Sequence, residues 1–136
     1  MRLINTTTLA FEEFIGRNVP PYAILSHTWE REEVTYHDYI IGKHEAMLGF
    51  EKIKMTCRLA AHESIQYAWV DTCCIDKRSS AELTEAINSM YRWYERARIC
   101  YVFFSDLGPG ADINTAIHCC RWCVSPVFST VSMPSV

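Results

Sequence analysis

The chain has 136 residues, of which 49% are hydrophobic and 21% are charged, and its formal net charge is -3. This length and composition are typical of one folded domain with a buried core, and they exclude an intrinsically disordered chain. The negative charge and the lack of any Lys/Arg cluster exclude a nucleic-acid-binding surface.

Seven cysteines are present, including two adjacent pairs, and no long apolar leader follows Met1. We therefore expect reduced thiols in a cytoplasmic protein rather than a disulfide framework. No apolar run approaches the roughly 18 residues of a membrane helix, so no membrane association is expected. Cys120 and Cys123 have the spacing of half a zinc site, but a second pair is missing and we predict no metal.

In chain order, residues 1–20 read as an N-terminal arm with a short strand, ended by the Asn18–Pro21 segment. The apolar stretch from Tyr22 predicts a strand that ends in Ser26, His27 and Trp29. Val34–Ile41 fits either a strand or a short helix.

A helical pattern then covers residues 44–63. An apolar stripe predicts the buried side of this helix: Phe50, Ile53, Cys57 and either Ala60 or Ala61. Lys52, Lys54 and Arg58 fall mostly on the opposite side, where we expect them to face solvent.

The centre of the chain is a strand, a polar turn and a helix. Tyr67–Val70 predicts a buried strand, and residues 71–80 place carboxylates, thiols and hydroxyls at its carboxyl end. Ser79 with Glu82 three residues later is a capping-box pattern that starts a helix. One face of this helix is predicted to be buried through Leu83, Ile87, Met90 and Tyr94.

A further strand over residues 99–104 completes an alternating order of strands and helices. This order predicts an α/β fold of three layers, with helices flanking a short parallel sheet. In such a sheet, ligands bind beyond the carboxyl ends of the strands.

Three motifs carry a family resemblance: YAILSHTW at 22–29, WVDTCCID at 69–76, and SSAELTEAINSMYRWY at 79–94. In this order they resemble the fungal heterokaryon incompatibility (HET) domain over residues 21–107. The resemblance implies non-self recognition and programmed cell death, an innate-immunity-like role. It also implies a TIR-like, flavodoxin-like fold. The partners it implies are further copies of the chain or other signalling domains. The activity it implies is hydrolysis of NAD, with a glutamate on a helix as the catalytic residue.

Residues 108–136 depart from the family pattern. HET domains continue into an Arg-Gly-Trp-Thr-Leu-Gln-Glu segment, whereas only Arg121 and Trp122 are similar to its approach here. We expect a divergent, truncated or alternatively spliced carboxyl-terminal segment.

The resemblance makes Glu82 the candidate catalytic carboxylate of an NAD glycohydrolase, in which NAD is the substrate and no cofactor is needed. A carboxylate would stabilise the positive charge that develops on the ribose as nicotinamide leaves. The alternative is that Glu82 only caps its helix. The expected pocket is completed by residues that follow the two strands: Ser26, His27, Trp29, Asp71, Cys74 and Asp76.

Three other interpretations stay open. His27 and Trp29 could be core side chains, and Asp76 could fix its turn. Cys73 with His27 and Asp71 could form a nucleophile set, although a buried thiol is the more frequent outcome. The chain could also be a non-enzymatic module that signals by self-association, for which an exposed Tyr91 or Trp93 would be a contact.

Overall fold

The structure is a computed structural model that describes residues 1–16 and 18–103. This part of the chain contains five strands and three α-helices, with a short 3-10 turn at His44–Ala46. The strands are β1 (Arg2–Asn5), β2 (Phe11–Glu13), β3 (Tyr22–His27), β4 (Tyr67–Val70) and β5 (Ile99–Phe103). The helices are α1 (Tyr36–Ile40), α2 (Gly49–His62) and α3 (Ser80–Arg96). The segment 108–136, including the Cys120–Cys123 half-site, lies outside the described residues.

The strands form one mixed sheet in the order β2-β1-β4-β3-β5. β3 runs parallel to β4 and to β5, as predicted. The prediction of a parallel sheet is wrong for the amino-terminal part, because β1 runs antiparallel to both β2 and β4. Two strands joined by a short connection must be antiparallel, and Leu9 takes a left-handed φ of 57° in that connection. Residues 1–20, predicted as an arm, therefore contribute two strands to the sheet.

The two long helices lie on opposite faces of this sheet. Successive strand residues point to opposite faces, and Ile24 of β3 is in register with Trp69 of β4. Trp69 packs on α3 through Trp93, at 5.5 Å between ring centroids. His27 lies three residues after Ile24 in β3, so its side chain points to the opposite face of the sheet. There it contacts Lys52 of α2. This placement agrees with right-handed crossovers from β3 to β4 and from β4 to β5.

The core confirms most of the predicted helical stripes. On α2, Phe50, Ile53 and Cys57 are buried as predicted, and of the two open alternatives Ala60 is buried and Ala61 is exposed. On α3 the prediction is wrong for Ile87, which is 65% exposed. Ala86 is buried instead, and it lies seven residues before Trp93, on the same side of the helix, where Trp93 packs on Trp69.

The segment 34–41, for which both strand and helix were open, contains helix α1. Thr35 caps it through a complete capping box with Asp38. Within residues 1–16 and 18–103, no helix has the length and hydropathy of a membrane-spanning segment.

Trp69 is the largest fully buried side chain, so its truncation is a direct test of the packing between the sheet and α3. We expect Trp69→Ala to lower the free energy of unfolding by about 3–5 kcal/mol, measured by urea titration. Ile87→Ala on α3 is the matched control and should change it by no more than about 0.5 kcal/mol, as for an exposed position. Equal losses in the two variants would contradict this packing.

Candidate functional site

The candidate site lies at the carboxyl edge of the parallel strands. β3 ends in Ser26 and His27, and β4 ends at Val70, from which residues 71–79 lead into α3. Because β1 runs antiparallel to β4, its first residue, Arg2, lies at this same edge. Side chains from β1, β3, the loop after β4 and the start of α3 therefore meet here.

The structure brings three of the predicted site residues together, His27, Trp29 and Asp71, and with Lys52 they form what we call the Asp71 cluster. His27 Nε2 lies 3.0 Å from Asp71 Oδ1, and the indole Nε1–H of Trp29 donates to Asp71 Oδ2 at 2.8 Å. Each carboxylate oxygen of Asp71 thus has its own partner. The His27 side chain is only 1% exposed, so it can influence a ligand only through Asp71.

Lys52 is a residue of this cluster that the sequence analysis placed wrongly. It was expected to face solvent, but its side chain is 6% exposed and its ammonium pairs with Glu33 and, at 3.1 Å, with Glu30. The same ammonium lies 3.4 Å from His27 Nδ1. The burial follows from the close approach of the loop before α1 to α2, where Gly49 N–H donates to Glu32 O at 3.1 Å.

A sequence signal for this approach exists. Gly49 and Thr56 flank Lys52 at one helical turn on either side, and a Cβ on Gly49 would lie 2.5 Å from the Glu32 carbonyl oxygen. Thr56 is also buried. Small residues one turn above and below a lysine mark a helix side that another segment can approach closely.

The contact with the buried lysine favours the tautomer of His27 that carries its proton on Nε2. An ammonium group can only donate hydrogen bonds, so His27 Nδ1 is an acceptor and its proton is on Nε2. Nε2–H then donates to Asp71. The result is a directed chain from Lys52 through His27 to Asp71, which also accepts the Trp29 indole proton.

Trp29 is the exposed end of this chain. Its side chain is 55% exposed, although its indole nitrogen is bonded to Asp71. The Lys77 ammonium lies 3.4 Å from the centroid of the Trp29 ring, a cation–π contact. Burial lowers the pKa of Lys77, while Asp71 acts in the opposite direction. Sequence reasoning did not single out Lys77.

Glu82 is held by different partners from those predicted. Ser79 Oγ accepts from the Glu82 amide at 3.3 Å, so Ser79 caps α3, but the Glu82 carboxylate does not return to the Ser79 amide. Its Oε1 instead accepts from Arg2 Nη1 and from the Asp76 amide, both at 2.9 Å. The reciprocal half of the expected capping box is wrong, because the Ser79 amide donates instead to the Asp76 carbonyl oxygen at 3.1 Å.

Glu82 and the Asp71 cluster flank the end of β4. Arg2, which binds Glu82, belongs to β1, whereas His27 belongs to β3, and these are the two neighbours of β4 in the sheet. Neighbouring strands are about 4.8 Å apart, so strand positions on either side of β4 are about 10 Å apart. In the described part of the chain, no hydrogen bond joins Glu82 to His27, Trp29 or Asp71.

The other three predicted residues support the edge. Ser26 has the opposite parity to His27 in β3, so it lies on the α3 face of the sheet, where the Tyr94 hydroxyl donates to the neighbouring Leu25 carbonyl oxygen at 3.4 Å. Cys74 is buried, and its Sγ accepts from the Val70 amide at 3.4 Å. The Asp76 carboxylate accepts from the backbone and guanidinium of Arg78, which lowers the pKa of Asp76 and closes the turn before α3.

Comparison with known proteins identifies the family. The family model described as heterokaryon incompatibility protein (HET) matches residues 22–120, which is more than half of the chain. The chain belongs to the heterokaryon incompatibility family. It is also similar to the vegetative incompatibility protein HET-E-1 of Podospora anserina, at 52% identity over 91 residues. That alignment covers 65% of this chain and 7% of the relative, so the chain spans only a small part of the relative's length. No solved structure matches the chain significantly.

The geometry of this HET domain does not favour a thiol nucleophile. Cys73 is fully buried, its Sγ contacts the Val70 carbonyl, and burial raises its pKa. A buried thiol with a raised pKa is a poor source of thiolate. Over the part of the chain that the structure describes, no three His, Cys, Asp or Glu side chains converge as a metal site.

Removing the Lys52 ammonium would leave the largely buried Glu33 carboxylate without its cationic partner. We expect Lys52→Met to lower the free energy of unfolding by about 3–5 kcal/mol, the usual cost of breaking a buried ion pair from one side. Lys54→Met on the same helix removes only an exposed pair with Glu51 and should cost less than about 1 kcal/mol in the same urea titration. A Lys52→Met loss as small as that of the control would show that the pair is solvated.

Proposed function

We propose that this chain is a signalling domain of fungal non-self recognition that triggers cell death by hydrolysing NAD, with Glu82 as the catalytic carboxylate. Membership of the heterokaryon incompatibility family supports the signalling role. The observation that carries the chemistry is the fixed carboxylate of Glu82, which is 33% exposed at the same sheet edge as the Trp29 and Asp71 pair.

The proposed reaction needs one well-placed negative charge. The bond between ribose C1′ and the pyridinium nitrogen breaks, and its electron pair leaves with neutral nicotinamide. The carboxylate stabilises the oxocarbenium-like charge that develops on the ribose. Water then adds to C1′ and loses a proton, which gives ADP-ribose. The leaving group takes no proton, so no general acid is required.

The Asp71 cluster would bind the rest of the dinucleotide. The Trp29 ring offers a surface for base stacking, and its orientation is fixed by Asp71. Asp71 is the group at this edge that could accept from ribose hydroxyls, with His27 and Lys52 behind it. Cys74, Asp76 and Ser26 would shape the pocket by holding the loop and the end of β3.

The proposal also includes a fold relationship and a cellular compartment. Three parallel strands with helices on both faces support a TIR-like, flavodoxin-like relationship, to which β1 and β2 add an antiparallel edge. Among the described residues, Cys57, Cys73 and Cys74 are buried free thiols. Free thiols support a reducing, cytoplasmic location.

A second candidate function is signalling by self-association without catalysis. Ile87 and Tyr91 are both exposed and stand four residues apart on α3, so they form one apolar surface. A second copy of the chain is the partner that this alternative requires. Concentration-dependent association that Ile87→Asp abolishes, in a protein that releases no nicotinamide, would select this function over the first.

Release of nicotinamide from NAD by the purified, concentrated chain tests the enzymatic proposal. We expect Glu82→Gln to lower kcat by about 10²- to 10³-fold, because it removes the charge that stabilises the transition state. Glu85→Gln is the matched control, since Glu85 is an exposed carboxylate on the same helix, and it should keep full activity. Folded fractions are compared by circular dichroism. Turnover that survives Glu82→Gln would remove the role assigned to Glu82.

A further inference from the structure

Arg2 is the charged partner of Glu82, and it comes from the amino-terminal strand. Its Nη1 donates to Glu82 Oε1 at 2.9 Å and to the Cys74 carbonyl oxygen at 3.1 Å. Its Nη2 and Nε donate to Glu13 at 3.0 and 3.2 Å. One guanidinium therefore joins β1, β2, the loop after β4 and helix α3.

Packing holds this guanidinium in one place. The Arg2 side chain is 10% exposed, and its Cζ lies 3.9 Å from the centroid of the Tyr36 ring. Stacking on Tyr36 and planar hydrogen bonding to two carboxylates use properties that arginine has and lysine lacks. Arg2 is thus oriented by α1 and β2 while it binds Glu82.

The hydrogen bonds of Glu82 are arranged to leave one oxygen for a ligand. Both bonds that the carboxylate accepts in the described part of the chain, from Arg2 and from the Asp76 amide, go to Oε1. Oε2 is then the oxygen that can face a substrate. Two donors on one oxygen fix the orientation of the carboxylate plane.

We propose that Arg2 is a positioning residue for Glu82, and that the β1–β2 hairpin is therefore part of the functional unit. The family match begins at residue 22, so it does not include this hairpin. Arg2 acts only through Glu82, and the inference rests on the proposed hydrolysis of NAD. Displacement of a reacting group by about 1 Å can cost on the order of 10²-fold in rate, which sets the expected size of the effect.

The test compares three variants of the full chain for nicotinamide release, with kcat and KM determined separately. Arg2→Met should lower kcat about 10²-fold and leave KM within about twofold, because the dinucleotide contacts at Trp29 and Asp71 are untouched. Arg2→Lys should lie between Arg2→Met and the wild type, since lysine keeps the charge but not the planar fork. Arg92→Met removes an exposed arginine from α3 and should match the wild type.

Each outcome has a distinct meaning. A wild-type kcat in folded Arg2→Met, in an active protein, would overturn the role of Arg2 and leave that of Glu82 intact. If Arg2→Met does not fold, the comparison of Arg2→Lys with the wild type is the test. A reduced kcat at constant KM supports the role of Arg2 in positioning Glu82, and unchanged kinetics overturn that role. A fall in activity that only tracks the folded fraction, with kcat per folded molecule unchanged, also overturns it. A wild-type chain that releases no nicotinamide would instead refute the proposed function and this inference together.

Discussion

The buried ammonium of Lys52 is the interaction on which the rest of the site depends. An isolated charge in a protein interior is strongly unfavourable, so its burial requires anionic partners, which the loop before α1 supplies as Glu30 and Glu33. This pairing attaches α2 to that loop at the end of β3. It also fixes the direction of the hydrogen bond to His27, which in turn orients Asp71 and the exposed Trp29 ring.

The end of β4 divides the carboxyl edge into two parts with different supports. On the β3 side, the chain from Lys52 to Asp71 holds an exposed aromatic ring. On the β1 side, Arg2 and the Asp76 amide hold a single carboxylate. The loop 71–76 belongs to both parts, and bonds from Cys74 and Asp76 shape it. A ligand that used both parts would have to be elongated, as a dinucleotide is.

Sequence reasoning found the parallel strands, the two long helices and the edge at which the polar residues meet, because hydrophobic periodicity and chain order encode these features directly. It missed the β1–β2 hairpin, since a three-residue strand such as Phe11–Glu13 is too short to show alternation. It missed the burial of Lys52 because helical periodicity describes packing against the sheet and not against a loop. It predicted that the Glu82 carboxylate bonds back to the start of its own helix, because the arginine that binds this carboxylate lies 80 residues earlier in the chain.

The most direct test of this account is the protonation of His27, because every other orientation in the Asp71 cluster follows from it. Long-range ¹H–¹⁵N NMR spectra of the folded chain at neutral pH report which ring nitrogen carries the proton. The account predicts that Nε2 carries a proton and that Nδ1 carries none, because Nδ1 accepts from Lys52. A His27 ring protonated at Nδ1 would contradict it, because the lysine could not then donate to that nitrogen.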